Sequence, residues 1–498
     1  MSNNRIFKIT FLLIITAELL SFLGYYWQII NFICFFIIAL LALILSLRRP
    51  EYGLYILLTE LFIGSFGYLF YFENGGFKIS SRIALWLIVM SVWLAKTALN
   101  YLNTKKLNII FFRSAYFKYF IALFIFLAWG AVNGLLNSNT ISNIFFDFNN
   151  WLYLLLIFPL YEIARDENNL KIIKQIFLAS ISWLSFKTLI LAYFFSHSFD
   201  FFNLDLYRWV RLSGAGEITQ VVPGFSRIFM QSHIYVLIGF FIILFYLLKT
   251  IINASSAVKK FPTFYLLLLT LSLSAIIISF SRSFWLGLAA GGIFVWLIAL
   301  GKLKIKLRQF LVFNSMIFLS ILASLTLTLG LAFFPWPTTL GGFNATALLS
   351  DRATGLTGEA GASSRWQLLP PLWQEIKQAP IMGQGFGATV TYLTSDPRVL
   401  AASPSGVYTT YAFEWGWLDV WLKLGILGLL AYLILFAKII FAGLKINTAL
   451  SLSLTGGLII LAAVNIFSPY VNHPLGIGYL LIAAAMMDSC AKFQTPVY

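Results

Sequence analysis

Apolar runs of about twenty residues recur from one end of this chain to the other, and they constrain its fold more than any motif does. A helix needs roughly 20 apolar residues to cross a bilayer. Such runs occupy 9–27, 29–47, 52–72, 80–99, 116–136, 144–163, 172–195, 229–248, 263–280, 284–300, 309–334, 413–437, 449–467 and 474–490. Only 10% of the residues are charged and 60% are hydrophobic, against about 25% charged in a soluble domain. That much apolar surface cannot be buried inside protein alone, so lipid is its solvent. The reading is all-α: a polytopic transmembrane helical bundle, with short spans and the tight turn at 281–283 setting the count at 12–14.

The net charge of +16 would suggest nucleic acid in a soluble chain. Here it reflects loops facing anionic lipid, and no nucleic-acid partner is expected. Alternate loops carry Arg48 and Arg49, then Lys105, Lys106 and Arg113, then Arg165, Lys171 and Lys174. Lys249, Lys259 and Lys260 follow, then Lys302, Lys304, Lys306 and Arg308, then Lys438 and Lys445, and finally Lys492. All fall on one side, as the positive-inside bias requires. Both termini are therefore expected in the cytoplasm, with the first span retained. Cys34 and Cys490 lie in apolar runs without disulfide or metal-site spacing, and no metal or other cofactor is expected.

Two segments on the other side are long, 196–228 and 335–412. The second contains SSRWQLLPPLWQEIKQAP. Apolar residues at Trp366, Leu369, Leu372, Trp373 and Ile376 space out an amphipathic helix, capped by Ser363 or Ser364, bent at Pro370-Pro371 and stopped before Pro380. It would lie at the outer interface or pack on the span bundle.

The basic residues divide by type. The cytoplasmic side holds sixteen lysines and six arginines, the outer side eight arginines and two lysines. Those arginines are Arg82, Arg208, Arg211, Arg227, Arg282, Arg352, Arg365 and Arg398. Guanidinium presents a planar fork that matches phosphate oxygens two at a time, whereas ammonium is a hydrated point charge. Arginines above a lipid-facing bundle suggest a membrane-anchored, phosphate-bearing ligand. The plainer alternative pairs them with outer acids such as Asp200, Asp205, Glu217, Asp351 and Glu359. Arg282 is the most pointed, because ISFSRSFWLG sets it among serines at a helix start, where an anion is favoured.

Taken in order, SFSRSFWLGL, then SRWQLLPPLWQEIKQAPIMGQGFG, then an aromatic-rich entry to a span ending GILG resemble the bacterial O-antigen ligase and O-antigen polymerase superfamily. The resemblance covers mainly 205–435, giving three segments: N-terminal helices over 1–200, a core over 201–435 with both outer loops, and C-terminal helices over 436–498. It implies an enzyme of the bacterial cytoplasmic (inner) membrane. The implied donor is an undecaprenyl-diphosphate-linked glycan, passed to a glycan or lipid acceptor without a nucleotide sugar. It also implies that arginines hold the diphosphate, and Arg211, Arg227, Arg282 and Arg365 are the candidates. The family's proposed base is a histidine, in a pattern that continues through nine residues to a GxxG. Here Gly425 and Gly428 match the GxxG, and counting back puts Glu414 at the histidine position. Glu414 and Arg282 are thus the catalytic candidates, with His233 and His473 as alternative bases. The departure at Glu414 favours polymerase over ligase.

In the same stretch, Asp419 and Lys423 are four apart, acid first, the favourable orientation for an ion pair along a helix. Glu414 is off that face and has no local partner. It is therefore a site candidate or a salt-bridge partner for an outer arginine. The rival from another class is a transporter or flippase of lipid-linked glycans, which would favour matching halves with broken helices; neither is visible in the sequence.

Overall fold

The structure, a computed structural model, describes residues 3–222, 224–253, 263–341 and 360–494. The chain opens with α1 (Asn3–Tyr26), α2 (Gln28–Arg48) and α3 (Pro50–Ile63), then the hairpin β1 (Tyr71–Asn74) and β2 (Phe77–Ser80). Next come α4 (Ser81–Thr104), α5 (Phe117–Leu136), α6 (Ile141–Trp151), α7 (Ile157–Ile163), α8 (Glu167–Ser196) and α9 (Asp200–Leu212). A second hairpin, β3 (Glu217–Val222) with β4 (Phe225–Phe229), leads to α10 (His233–Asn253), α11 (Thr263–Ser279), α12 (Arg282–Leu297) and α13 (Leu307–Phe333). After α14 (Ala360–Gln378), β5 (Val390–Leu393) and β6 (Val407–Thr410) flank the short α15 (Pro397–Ala402). The chain ends with α16 (Gly416–Ile446), α17 (Ala449–Val464) and α18 (Pro474–Gln494). Each pair of strands is antiparallel and stands alone.

Among the described residues eleven helices are long and apolar enough to cross a membrane, and Thr263–Ser279 and Ala449–Val464 are shorter apolar helices. Thirteen of the fourteen expected runs are thus found as apolar helix. The run at 52–72 needs correction. Its helix, α3, has only 14 residues, about 21 Å at 1.5 Å per residue, short of a ~30 Å hydrocarbon core. Gly64 ends it, Ser65 and Gly67 take positive φ, and the chain turns into β1. Apolar composition continued through that turn and concealed it.

The turn closes over Arg82, which is 4% exposed. Its Nε and Nη2 donate to the Glu60 carboxylate at 2.9 and 3.1 Å, and Nη1 donates to the Ser65 carbonyl at 2.6 Å. Arg82 therefore belongs to the packing of α3 against α4 and not to an open outer surface. A second buried pair, Lys187 with Glu18, ties α8 to α1.

Helix α14 starts at Ala360, earlier than the expected serine cap, and runs through Pro370 and Pro371 to Gln378. It packs on the bundle. Leu368, Leu372 and Ile376 are buried with Val390, Tyr392, Phe413, Trp415 and Leu422 in a separate apolar cluster, while Trp366 and Trp373 remain 51% and 38% exposed. The i, i+4, i+8 spacing of the buried residues is one helix face.

Removing one member of a buried ion pair leaves an uncompensated charge, at a cost of about 3–5 kcal/mol. Arg82→Gln is expected to destabilise the detergent-solubilised protein by that order in an unfolding titration. An unchanged midpoint would show that the pair does not hold α3 to α4.

Candidate active site

Helix α16 is broken inside its apolar run. Gly425 has φ +72° and ψ 177°, a conformation open to glycine. The break would orphan backbone groups in a region without water, where each costs several kcal/mol. The segment 380–387, PIMGQGFG, takes them up. The Ile426 N–H, which an unbroken helix would give to Leu422, donates instead to the Pro380 carbonyl at 2.9 Å. The Leu422 and Lys423 carbonyls accept from the N–H groups of Gln384 and Gly385 at 2.7 and 3.1 Å.

The three glycines of this segment, Gly383, Gly385 and Gly387, have φ of +72°, +80° and +78°. A Cβ at Gly385 would collide with the backbone of Gly134, and one at Gly383 would come within 2.5 Å of the Gly425 nitrogen. On the far side, α5 and the turn after it supply amide donors. Asn133 Nδ2 bonds the Gly383 carbonyl at 2.7 Å, and Asn139 Nδ2 bonds those of Gln384 and Phe386 at 3.1 and 2.8 Å. The GxGxG string and the GxxG of α16 are therefore one seam.

Charge locks the seam. Lys423 Nζ lies 2.6 Å from Asp419 and 2.7 Å from Asp147, and donates to the Tyr411 carbonyl at 3.0 Å. The second oxygen of Asp147 accepts from the Gly387 N–H at 2.8 Å, and Asn472 donates to Asp419. The expected Asp419–Lys423 pair is present. Asp147 was missed, although an acid inside an apolar run is a signal in its own right.

Above the seam lies a mouth. Glu414 is paired with Arg365, both partly exposed. This is the salt bridge to an outer arginine that was one of the two expected roles of Glu414, with the partner lying across space on α14. The Trp415 Nε1–H donates to the Arg365 carbonyl at 2.9 Å, and the Trp415 ring meets Phe467 at 5.1 Å. One residue on, Ser468 donates to the Ser283 hydroxyl at 3.0 Å, and Ser283 lies 3.0 Å from the Ser281 hydroxyl. Ser281 stands at the N-cap of α12, but its side chain makes no capping bond. Arg282, between the two serines, is half-buried and already engaged.

Arg227 approaches the same turn from β4, its Nε donating to the Ser279 carbonyl at 2.8 Å. Arg211 pairs with Glu217 at 3.6 Å. Glu217 and Thr219 stand opposite Phe229 and Arg227 in the hairpin, so Arg211 and Arg227 border one hairpin face. Arg208 is exposed, and Arg352 and the side chain of Arg398 lie outside the described residues, as do Asp351, Glu359, Lys259 and Lys260. Of the expected set, Arg227 reaches the α11–α12 junction where Arg282 stands, Glu414 pairs with Arg365, and Arg211 pairs with Glu217; the Ser283–Ser468 and Trp415–Phe467 contacts connect the first two pairs to the 465–470 turn.

Both histidines named as alternative bases are held by hydrogen bonds within the protein. His233 is fully buried, with Nδ1 accepting the Met230 N–H at 3.3 Å and Nε2 facing the Thr188 hydroxyl at 2.8 Å. His473, before α18, accepts the Leu475 N–H at 3.3 Å and meets the Phe66 ring edge-on. Burial, and then the Arg82 guanidinium, push its pKa down to about 3.

Residues 266–433 match the family model described as O-antigen ligase. The match spans 168 of the 498 residues and makes this segment similar to the O-antigen ligase family. No curated protein and no solved structure matches the chain. The O-antigen ligase segment takes in Arg282, Arg365, Glu414 and the glycine seam, and leaves Arg211, Arg227, His233 and His473 outside it. With eleven helices among the described residues able to span a membrane, the protein has the character of a multi-pass membrane protein, and its similarity to the O-antigen ligase family lies within 266–433.

Two outcomes test this geometry. Lys423→Met would leave two buried carboxylates facing each other, and should lower stability by about 3–5 kcal/mol; Lys423→Met with Asp147→Asn should recover part of that loss in the same unfolding assay. For His473 the folded-state pKa is depressed, so the unfolded chain binds the proton first. Stability should be intact above pH ~6.5 and decline as pH falls toward ~3. His473→Gln should flatten that decline in unfolding midpoints measured across pH.

Proposed function

We propose that this protein transfers or polymerises glycan units from an undecaprenyl-diphosphate donor on the outer side of the bacterial cytoplasmic membrane, polymerisation being preferred. The single observation that carries the reading is the convergence of Arg227 and Arg282 on the α11–α12 junction, linked through Ser283–Ser468 and Phe467–Trp415 to the Glu414–Arg365 pair. The family match over 266–433 supports the same chemistry.

In this reading the acceptor hydroxyl attacks the anomeric carbon of the donor sugar. The bond from that carbon to the phosphate oxygen breaks, and the lipid diphosphate leaves with the electron pair. Arg227 and Arg282 exchange their present partners for phosphate oxygens and stabilise the charge that develops there, which is usually the largest catalytic contribution. Arg365 and Arg211 border the diphosphate. Glu414 takes the proton of the acceptor hydroxyl. His233, sealed in the bundle, and His473, held neutral beside Arg82, are assigned to structure.

Each charge-assisted bond contributes about 1.5–3 kcal/mol, so Arg282→Lys, which loses the fork but keeps the charge, should slow turnover roughly 10–100-fold. Glu414→Gln should slow it by about 10²–10⁴, the usual range for losing a general base. The assay follows lengthening or transfer of lipid-linked glycan by protein in vesicles. Unchanged rates for Arg282→Lys would remove the diphosphate assignment, and movement of the lipid across the bilayer with no product would favour a transporter.

A further inference from the structure

At the end of the bundle opposite the mouth lies a cavity of about 200 Å³ that the proposed reaction does not use. It is walled by α3, α8, α10, α11, α17 and α18, and its surface is almost wholly apolar. On α18 its lining extends from Tyr479 to Met486, seven residues or roughly 10 Å along the axis. Tyr479 closes the deep end, buried and donating its hydroxyl to the Leu454 carbonyl at 3.0 Å.

The other end is open and carries charge. Lys174 is exposed, and its ammonium lies 5.5 Å from the centre of the Tyr246 ring, which packs on Tyr265 at 4.7 Å. Among the described residues Lys174 has no ion-pair partner, whereas Lys171, one turn before it, pairs with Glu167 at 3.2 Å. This is the lysine-rich end, which the positive-inside bias assigns to the cytoplasm, where the leaflet is anionic.

A cavity with these walls gives water too few polar partners, while an engineered apolar cavity of about 150 Å³ takes up benzene. Its occupant is therefore hydrocarbon, and the cation at its rim calls for a negative head. We propose that this cavity holds one acyl chain of an anionic phospholipid, with Lys174 on the lipid phosphate. The site is independent of the glycan-transfer reading.

The test uses the purified full chain in detergent, with native mass spectrometry to count bound phosphatidylglycerol and phosphatidylcholine of identical acyl chains. Wild type should retain phosphatidylglycerol about tenfold better. Lys174→Gln should reduce that preference to less than twofold, and Ala449→Phe, which fills the cavity wall, should lower retention of both lipids. Glycerol phosphate without acyl chains should not compete. Equal retention of the two lipids by wild type, or an undiminished preference in Lys174→Gln, would overturn the headgroup assignment. Competition by glycerol phosphate, or unaltered retention in Ala449→Phe, would overturn the cavity as the place where the chain lies.

Discussion

Backbone polar groups in a membrane interior must find partners within the protein, because no water is there to accept them. In this structure that constraint bears hardest on the break at Gly425. A helix interrupted in lipid would be untenable alone, and so would an irregular segment such as 380–387. Each supplies what the other lacks: Ile426 donates to Pro380, and Gln384 and Gly385 donate to Leu422 and Lys423. The glycines follow from this exchange. They supply the positive φ and the bare backbone that let two main chains approach with α5 behind them. The motif glycines are thus accounted for by chain-to-chain contact.

The same seam explains the intramembrane charges. Lys423 alone would be costly there, but it is shared by Asp419 and Asp147, whose remaining oxygens are held by Asn472 and by the Gly387 N–H. The network therefore joins α6, the glycine segment, α16 and the turn before α18. Because Glu414 lies just before α16 and Arg365 reaches it from α14, the carboxylate at the mouth takes its position from an anchored helix start. A buried charge network is a weak source of net stability; its consequence here is that four elements have one relative arrangement.

What could be read from sequence followed the range of each interaction. Spans were legible because twenty consecutive apolar residues are a local signal, and the Asp419–Lys423 pair because four residues make one helical turn. The turn after α3 was not, since its glycines sit within continuous apolar composition. Partners far apart in sequence were equally hidden. Arg82 was read as an outer arginine because Glu60, on the preceding helix, could not be seen to face it. Which arginine pairs with Glu414 was hidden because Arg365 lies on another element, and Asp147 is 276 residues from Lys423. Residue chemistry marked Arg227, Arg282, Arg365 and Glu414 as unusual, but only the fold shows the contacts that connect them.

That distinction bears on how the arginines are to be understood. Arg82, Arg211 and Arg365 face acids, as the plainer alternative required, yet their burial separates them. Arg82 is enclosed on every side and can only hold α3 to α4. Arg211 and Arg365 are 44% and 36% exposed, with carboxylates about half-exposed, and exposed pairs of this kind contribute little, about 0–1 kcal/mol. Such a pair is cheaply opened by a ligand carrying more negative charge than one carboxylate. Pairing of these arginines is therefore compatible with the proposed diphosphate, which would displace a weaker resident carboxylate from guanidinium groups it already orients.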